Sequence, residues 1–209
     1  MASPQTIQPS MSDTYLSVSS PTTNYATSTA LLTSPNSGVE YNSILKFDFS
    51  AVVPSGAHIT LATLGLYCYA ALASRTITAY RLLRADWVEA EATWNIYKGD
   101  KTEVGDHSHW GTAGALGLGV DFTTTDAATA DSVAVGQWLN ETVTAQVQTA
   151  LDSVSGVAYF LLADVGGSVV GNNGYRSREY ATAGNRPKLY IEHTEPSPGA
   201  QMSCRSKFW

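Results

Sequence analysis

The strongest constraint on the fold is a two-residue alternation of side chains over residues 58–70. One face of this segment carries Ala62, Leu64, Leu66 and Cys68, and the other carries Ile59, Leu61, Thr63, Tyr67 and Tyr69. Successive side chains of a β-strand point to opposite faces of its sheet. The segment therefore predicts a long strand with one face in a hydrophobic core.

Shorter segments of the same kind recur along the chain, separated by turn signals such as PNSG at residues 35–38. They predict strands near residues 13–18, 28–33, 41–49, 76–82, 131–138, 157–163, 174–180 and 186–193. One helix is predicted over residues 140–152, because Asn140 suits an N-cap and Val143, Val147 and Leu151 recur on one face. We therefore expect an all-β chain, an antiparallel two-sheet β-sandwich of jelly-roll type with one short helix. Its expected divisions are an arm over residues 1–12, a domain over 13–194 and a linker-like tail over 195–209.

Composition excludes several classes of function. The 209 residues include 23 Thr, 22 Ser and 17 Gly, as suits strands joined by turns. Lysine and arginine number 12 against 18 Asp and Glu, a net charge of −6, which argues against nucleic acid as a partner. No apolar run approaches the roughly 18 residues of a membrane helix, so no membrane span is expected. Cys68 and Cys204 leave open a long-range disulfide or two free thiols.

Several short segments, taken in chain order, resemble those of DNRLRE-type domains, which overlap the family 96 carbohydrate-binding modules. These segments are DTY at 13–15, NY at 24–25, LKFDFS at 45–50, PSGA at 54–57, ATLGLY at 62–67, WVE at 87–89, ATWN at 92–95, GVAYFLL at 156–162, SRE at 177–179 and RPKL at 186–189. Two features depart from the pattern: Ala26 stands where the family prefers glycine, and residues 98–131 are longer and richer in glycine. The resemblance implies a β-sandwich that is usually an appendage of an extracellular or cell-surface protein, and some members bind acidic polysaccharides.

Sugar binding requires aromatic platforms beside polar groups, and the aromatic candidates are Tyr67, Tyr69, Tyr97 and Trp110. Trp110 is preferred because it lies in the long glycine-rich loop, whereas an aromatic side chain on a sandwich strand usually belongs to the core. Arg176 and Arg178 share one strand face, and arginine forks suit the carboxylates of an acidic polysaccharide. Trp110, Arg176 and Arg178 are the predicted ligand-binding residues. The alternative for the arginines is a structural ion pair.

Two sets of side chains suggest metal ions. Asp13, Asn24 and Glu179 lie in segments that carry the resemblance, and their oxygens suit a structural calcium ion, Ca²⁺. The alternative is that Asp13 caps a turn and Glu179 pairs with Arg176 or Arg186. His107 and His109 share one face of a strand next to Asp106, as suits zinc or copper, but the sequence offers no third ligand and an exposed loop is the alternative.

No arrangement of side chains predicts catalysis. Asp86, Glu89 and Glu91 suggest the paired carboxylates of a glycosidase, but a solvated loop above packed Trp87 and Trp94 explains them as well. The nucleophile motif Gly-X-Ser-X-Gly is absent. We therefore expect a protein that is not an enzyme.

The termini bear on where such a module acts. Residues 1–10 lack the basic start and apolar stretch of a secretory signal peptide, and we expect no attached catalytic domain. These features lead us to expect a virion protein that decorates a capsid or tail, forms homo-oligomers and contacts other virion or surface proteins. In that case Phe208 and Trp209 are candidate interface residues. The alternative is a polysaccharide-binding module of an extracellular or cell-surface protein.

Overall fold

A computed structural model describes residues 4–35, 39–72, 74–99, 107–153, 156–166 and 171–196. Two antiparallel sheets pack face to face around a shared core, which confirms the predicted β-sandwich. The six-stranded sheet contains β1 (Gln5–Ile7), β3 (Ala30–Thr33), β5 (His58–Ala70), β10 (Trp138–Thr142), β12 (Asn173–Arg176) and β13 (Lys188–Thr194). The five-stranded sheet contains β2 (Ser12–Ser17), β4 (Tyr41–Asp48), β6 (Thr76–Leu82), β9 (Phe122–Asp131) and β11 (Val157–Asp164).

Three further elements complete the described fold. Strands β7 (Ile96–Gly99) and β8 (His107–His109) pair with each other, and helix α1 (Thr144–Ser153) contacts β5 and β11. A short 3-10 helix spans Ala183–Asn185. No helix in the described ranges is both long enough and apolar enough to cross a membrane.

Strand β5 organises the six-stranded sheet because it has neighbours on both edges. Gly65 lies opposite Lys188 of β13 on one edge and opposite Asn140 of β10 on the other. The remaining order is β1-β13-β5-β12-β3 in this sheet and β2-β4-β11-β6-β9 in the other. Side chains of β10, β12 and β13 are therefore brought beside those of β5.

The five-stranded sheet has buried side chains on both faces of its strands other than β9. In β4, Leu45 and Phe47 enter the core between the sheets, whereas Ile44 enters a second buried cluster on the opposite face, because successive side chains of a strand alternate in direction. Trp87, Trp94 and Trp110 belong to that second cluster. The described part of the segment between β6 and β9, residues 83–99 and 107–121, therefore covers the outer face of this sheet with a small core of its own.

Asp121 anchors the end of this covering segment. It is 0% exposed, and its carboxylate accepts hydrogen bonds from the backbone N–H groups of Gly111 (2.8 Å), Thr112 (3.0 Å) and Gly117 (2.9 Å). The Arg84 guanidinium donates a further hydrogen bond at 3.2 Å. One buried carboxylate thus satisfies donors that the turn itself leaves unpaired.

Replacement of Asp121 by alanine is expected to lower the free energy of unfolding by roughly 2–4 kcal/mol, because three backbone donors lose their acceptor. Urea denaturation followed by tryptophan fluorescence measures this change, since the segment carries three buried tryptophans. The exposed carboxylate of Asp131 is the matched control, and Asp131→Asn should leave the midpoint unchanged. Equal midpoints for Asp121→Ala and the wild type would contradict the anchoring role.

Several sequence-based boundaries are wrong. The helix begins at Thr144, not at Asn140, because residues 138–142 pair with the centre of β5 as strand β10. The strand predicted at 131–138 is absent: β9 ends at Asp131, β10 begins at Trp138, and residues 132–137 form the turn between them. Ile59 is buried in the core rather than on the face of Tyr67, because the pairing of β5 with β13 shifts register near this residue.

The structure describes most of the predicted N-terminal arm and little of the predicted C-terminal tail. Residues 5–7, inside the predicted arm, form β1 and pair with β13 of the sandwich. Residues 197–209 lie outside the described residues, so the tail, Cys204 and the candidate interface residues Phe208 and Trp209 stay predictions. Cys68 is buried, as its place on β5 predicts.

Candidate functional site

The outer face of the six-stranded sheet carries half-buried aromatic and basic side chains. Strand β5 directs Leu64, Leu66 and Cys68 into the core, so Tyr67 and Tyr69 point outward. We name this surface the aromatic face and define it by Tyr67, Tyr69, Trp138, Arg176, Tyr180, Lys188 and Tyr190. Each of these residues is half-buried, and none belongs to either buried cluster. The two sheets thus differ, since a packed segment covers the outer face of the other.

Trp138 and Tyr67 form the centre of the aromatic face. They are directly opposite on paired strands, and their rings meet edge to face with centroids 5.5 Å apart. The Lys188 ammonium lies 3.7 Å from the centroid of the Trp138 ring, a cation–π contact. Gly65 makes room for this contact, because a Cβ atom there would lie 3.0 Å from Lys188 Cε and 3.3 Å from Trp138 Cε3.

Arg176 is held between two tyrosines beside this centre. Its guanidinium lies 4.3 Å from the centroid of the Tyr69 ring and 4.0 Å from that of Tyr180. Burial raises the pKa of Tyr69, and the positive charge of Arg176 opposes that rise. The Nε atom of Arg176 is buried and has no hydrogen-bond partner among the described residues. Stacking therefore orients the guanidinium without engaging it in an ion pair.

A shallow groove of about 300 Å³ continues the aromatic face toward β1. Its lining comprises Thr6, Leu61, Thr63, Asn140, Lys188 and Tyr190. The Tyr190 hydroxyl donates a hydrogen bond to Glu192 at 2.6 Å. Hydroxyl and amide groups thus line the groove beside aromatic rings, the combination found where proteins bind small polar molecules.

Trp110, the preferred aromatic of the sequence prediction, lies in the second buried cluster. Its side chain is 5% exposed, and its indole N–H donates to the Thr93 carbonyl at 2.9 Å. Its ring centroid lies 5.4 Å from that of Tyr97. Its assignment to ligand binding stays a prediction, and the accessible tryptophan of the aromatic face is Trp138.

The two predicted arginines have different surroundings. Arg176 belongs to the aromatic face, whereas Arg178 points to the edge of the sandwich and forms an ion pair with Glu89 at 3.1 Å. The Arg178 guanidinium also donates to the Met11 carbonyl, and its backbone N–H donates to Asp13. Arg178 thus joins three separate segments, as in the alternative that its sequence position left open.

The three residues assigned to calcium lie near this ion pair. Asp13 is buried, and its Oδ2 accepts from Ser10 Oγ at 2.5 Å, while burial raises its pKa to about 7. Asn24 donates to two backbone carbonyls at 2.7 Å, and Glu179 pairs with Arg178 at 3.4 Å. Asp13 Oδ1 is buried and has no hydrogen-bond partner among the described residues. The calcium assignment stays a prediction.

The other candidate metal ligands lie on β8. The rings of His107 and His109 have centroids 6.3 Å apart, and His109 Nδ1 lies 3.3 Å from the Asn95 carbonyl. Asp106 lies outside the described residues. Within the described ranges, no three His, Cys, Asp or Glu side chains converge to hold a metal ion.

The carboxylates considered for catalysis have protein partners. Glu89 accepts from the Asp13 backbone N–H at 2.7 Å in addition to its ion pair with Arg178. Glu91 accepts from the Gly99 backbone N–H at 2.8 Å, and exposed Asp86 lies 3.9 Å from Lys98 Nζ. Each carboxylate thus supports the covering segment.

Comparison with known proteins supports a carbohydrate-binding-module-like domain. Residues 4–102 match the model of carbohydrate-binding module family 96. The match includes β5 with Tyr67 and Tyr69, and it ends before Trp138, Arg176 and Lys188. The comparison with curated proteins found no match. The similarity to DNRLRE-type domains stays a prediction.

Proposed function

We propose that this chain is a non-catalytic recognition module that binds a polysaccharide on the aromatic face. The observation that supports this most is the contact of half-exposed Trp138 with Tyr67 and Lys188 at the centre of an uncovered sheet face. The apolar face of a sugar ring stacks on an aromatic ring, and its hydroxyls require neighbouring hydrogen-bonding groups. Asn140 and Lys188 provide such groups beside Trp138.

The ligand we propose carries carboxylates. Lys188 and Arg176 are stacked on aromatic rings, and neither has an acidic side chain within 4.0 Å among the described residues. Cations held in this way are available to a ligand carboxylate. The guanidinium group of arginine can donate two parallel hydrogen bonds to such a carboxylate. The net charge of −6 opposes unspecific attraction to a polyanion, so binding would depend on these local cations.

Binding of polygalacturonate, measured by isothermal titration calorimetry, tests this proposal. We expect binding of polygalacturonate and none of a neutral β-glucan, with affinity falling as salt is added because charges are paired. Lys188→Met combined with Arg176→Met should weaken binding at least tenfold. Lys98→Met, which removes an exposed cation elsewhere, is the matched control.

Three outcomes would contradict the proposal. Equal binding of dextran sulfate and polygalacturonate would indicate unspecific charge attraction, and unchanged binding by the double variant would exclude the aromatic face. Release of new reducing ends during incubation would contradict a non-catalytic role.

We also propose that this recognition takes place on an extracellular or cell surface, as the carbohydrate-binding-module similarity suggests. Decoration of a virion and homo-oligomer formation stay separate predictions. They depend on Phe208 and Trp209, which lie outside the described residues.

A further inference from the structure

Strand β8, in the segment that covers the five-stranded sheet, carries two histidines on one face. His107 and His109 are two positions apart, so their side chains point the same way. Their rings lie edge to face with centroids 6.3 Å apart. In the pairing with β7, His107 lies opposite Gly99 and His109 lies opposite Ile96. Neither cross-strand partner has a polar side chain that would compete for the imidazoles.

A backbone carbonyl determines which nitrogen of His109 is free. The Nδ1 atom of His109 lies 3.3 Å from the carbonyl oxygen of Asn95. A carbonyl oxygen only accepts hydrogen bonds, so this contact places the proton on Nδ1 and leaves the lone pair of the neutral ring on Nε2. Histidines that bind metal ions characteristically donate their other ring N–H to a carbonyl or carboxylate in this way. His109 is exposed, so its Nε2 atom is available to a ligand.

His107 also presents its Nε2 atom. Its Nδ1 atom is buried and has no hydrogen-bond partner among the described residues, so this side of the ring faces the protein. The Nε2 atom, on the far side of the half-buried ring, is neither buried nor hydrogen-bonded in the described part of the chain. No ion pair of the described residues involves His107 or His109. One face of β8 therefore offers two imidazole nitrogens that the protein leaves unused.

We propose that His107 and His109 together bind a copper ion, Cu²⁺, with water in its remaining positions. Imidazole is a good ligand for Cu²⁺, Ni²⁺ and Zn²⁺, and Cu²⁺ binds a given nitrogen site most tightly of the three. Cu²⁺ also accepts a tetragonal arrangement of nitrogen and oxygen ligands, which two imidazoles and water can supply. Zinc sites use three or four protein ligands, and the described residues bring no third His, Cys, Asp or Glu side chain to this pair.

The surroundings of the pair suit a hydrated cation. A cleft of about 110 Å³ lies against both rings and is also lined by Thr22, Thr93 and Asn95. Hydroxyl and amide oxygens accept hydrogen bonds, so these side chains suit water bound to a metal ion. Among the described residues, no lysine or arginine lines the cleft. Lys98 lies opposite Ser108, whose side chain points away from the two histidines, so the nearby positive charge is on the other face of the pair of strands.

Isothermal titration calorimetry of the full chain with CuCl₂ tests the site, in a buffer that does not bind metals and after alkylation of accessible thiols. We expect one Cu²⁺ per chain, weaker binding of Ni²⁺, and none of Ca²⁺ or Mg²⁺. His107→Gln and His109→Gln should each weaken Cu²⁺ binding at least tenfold, because each removes one of two linked ligands. The matched control is His58→Gln, which replaces an exposed histidine on β5 and should leave the affinity unchanged. Wild-type affinity in either β8 variant overturns the proposal.

Two further measurements separate the site from unspecific uptake of copper. Electron paramagnetic resonance should show two imidazole nitrogens on the copper of the wild type and one in each single β8 variant. Bound Cu²⁺ should raise the melting temperature of the wild type, but not that of the double variant, because binding to the folded state stabilises it. A single nitrogen in the wild type, or an unchanged signal in the double variant, assigns the ion to another group and overturns the site. Both variants should bind polygalacturonate normally, since neither histidine belongs to the aromatic face.

Discussion

Replacement of Trp138 by alanine is expected to reduce the affinity for polygalacturonate by roughly 30-fold or more. The variant removes the stacking surface and leaves the Lys188 ammonium without the ring on which it rests, at 3.7 Å in the wild type. Loss of the apolar contact between a sugar ring and the indole is expected to cost about 2 kcal/mol of binding free energy, which corresponds to that loss of affinity. Calorimetry with the same polymer measures the change.

Because Trp138 is partly exposed, a loss of affinity in its variants can be separated from a loss of stability. Trp138 is half-buried, unlike Trp87, Trp94 and Trp110, so its removal should shift the melting temperature by only a few degrees. Trp138→Phe keeps a ring and should retain most of the affinity. Ligand quenching of tryptophan fluorescence should occur in the wild type and vanish in both variants. Wild-type affinity in Trp138→Ala would show that the aromatic face is not the binding surface.

The sequence predicted the strands well where apolar side chains alternate regularly with a period of two residues. β5 begins and ends where the alternation of residues 58–70 does, and β4 (Tyr41–Asp48) matches the strand predicted near residues 41–49. The prediction was less successful where pairing with distant strands decides the structure. The spacing of apolar residues near 138–142 is compatible with a helix, but these residues pair with the edge of β5 and form strand β10. Backbone pairing across some 75 positions leaves no trace in local periodicity.

The candidate site was harder to locate, because exposure is a tertiary property. The i, i+2 spacing of Tyr67 and Tyr69, opposite Leu64 and Leu66, predicts that they face away from the core. Whether that outer face is open depends on which sheet the segment between β6 and β9 covers. It covers the five-stranded sheet, which buries Trp110 and leaves Trp138 accessible. The sequence offered packing of Trp87 and Trp94 under that segment as one interpretation, but it did not indicate that Trp110 joins them in the same small core.

A buried carboxyl group makes stability depend on pH in an unusual direction. Glu141 of β10 is 0% exposed, and its Oε2 accepts from the Ala79 backbone N–H at 2.8 Å. Burial raises its pKa from 4.5 to about 8, against the smaller opposing effect of that hydrogen bond. Burial likewise raises the pKa of Asp13, from 3.8 to about 7. The folded protein therefore holds protons at neutral pH that the unfolded chain releases.

The free energy of unfolding should consequently fall as pH rises. Below about pH 4 both states are protonated and the stabilisation is complete, and above each raised pKa it is lost. Each carboxyl lowers stability by up to about 1.4 kcal/mol per pH unit in its window. Urea denaturation at pH 5, 6, 7 and 8 should therefore give the highest stability at pH 5. A maximum at pH 8 would contradict the protonated state of both groups.

Glu141→Gln isolates one of the two groups, since the amide is neutral at every pH and its oxygen still accepts from Ala79. The free energy of unfolding of the variant should be closest to that of the wild type at pH 5 and should exceed it increasingly toward pH 8. Roughly half of the pH dependence of stability should remain, because Asp13 still titrates. Asp131→Asn, which alters an exposed carboxylate, should parallel the wild type throughout. A Glu141→Gln curve that runs parallel to the wild type would mean that Glu141 is ionised in the folded protein. The orphaned Oε1 atom would then have to be stabilised as part of a charge, which its complete burial makes unfavourable.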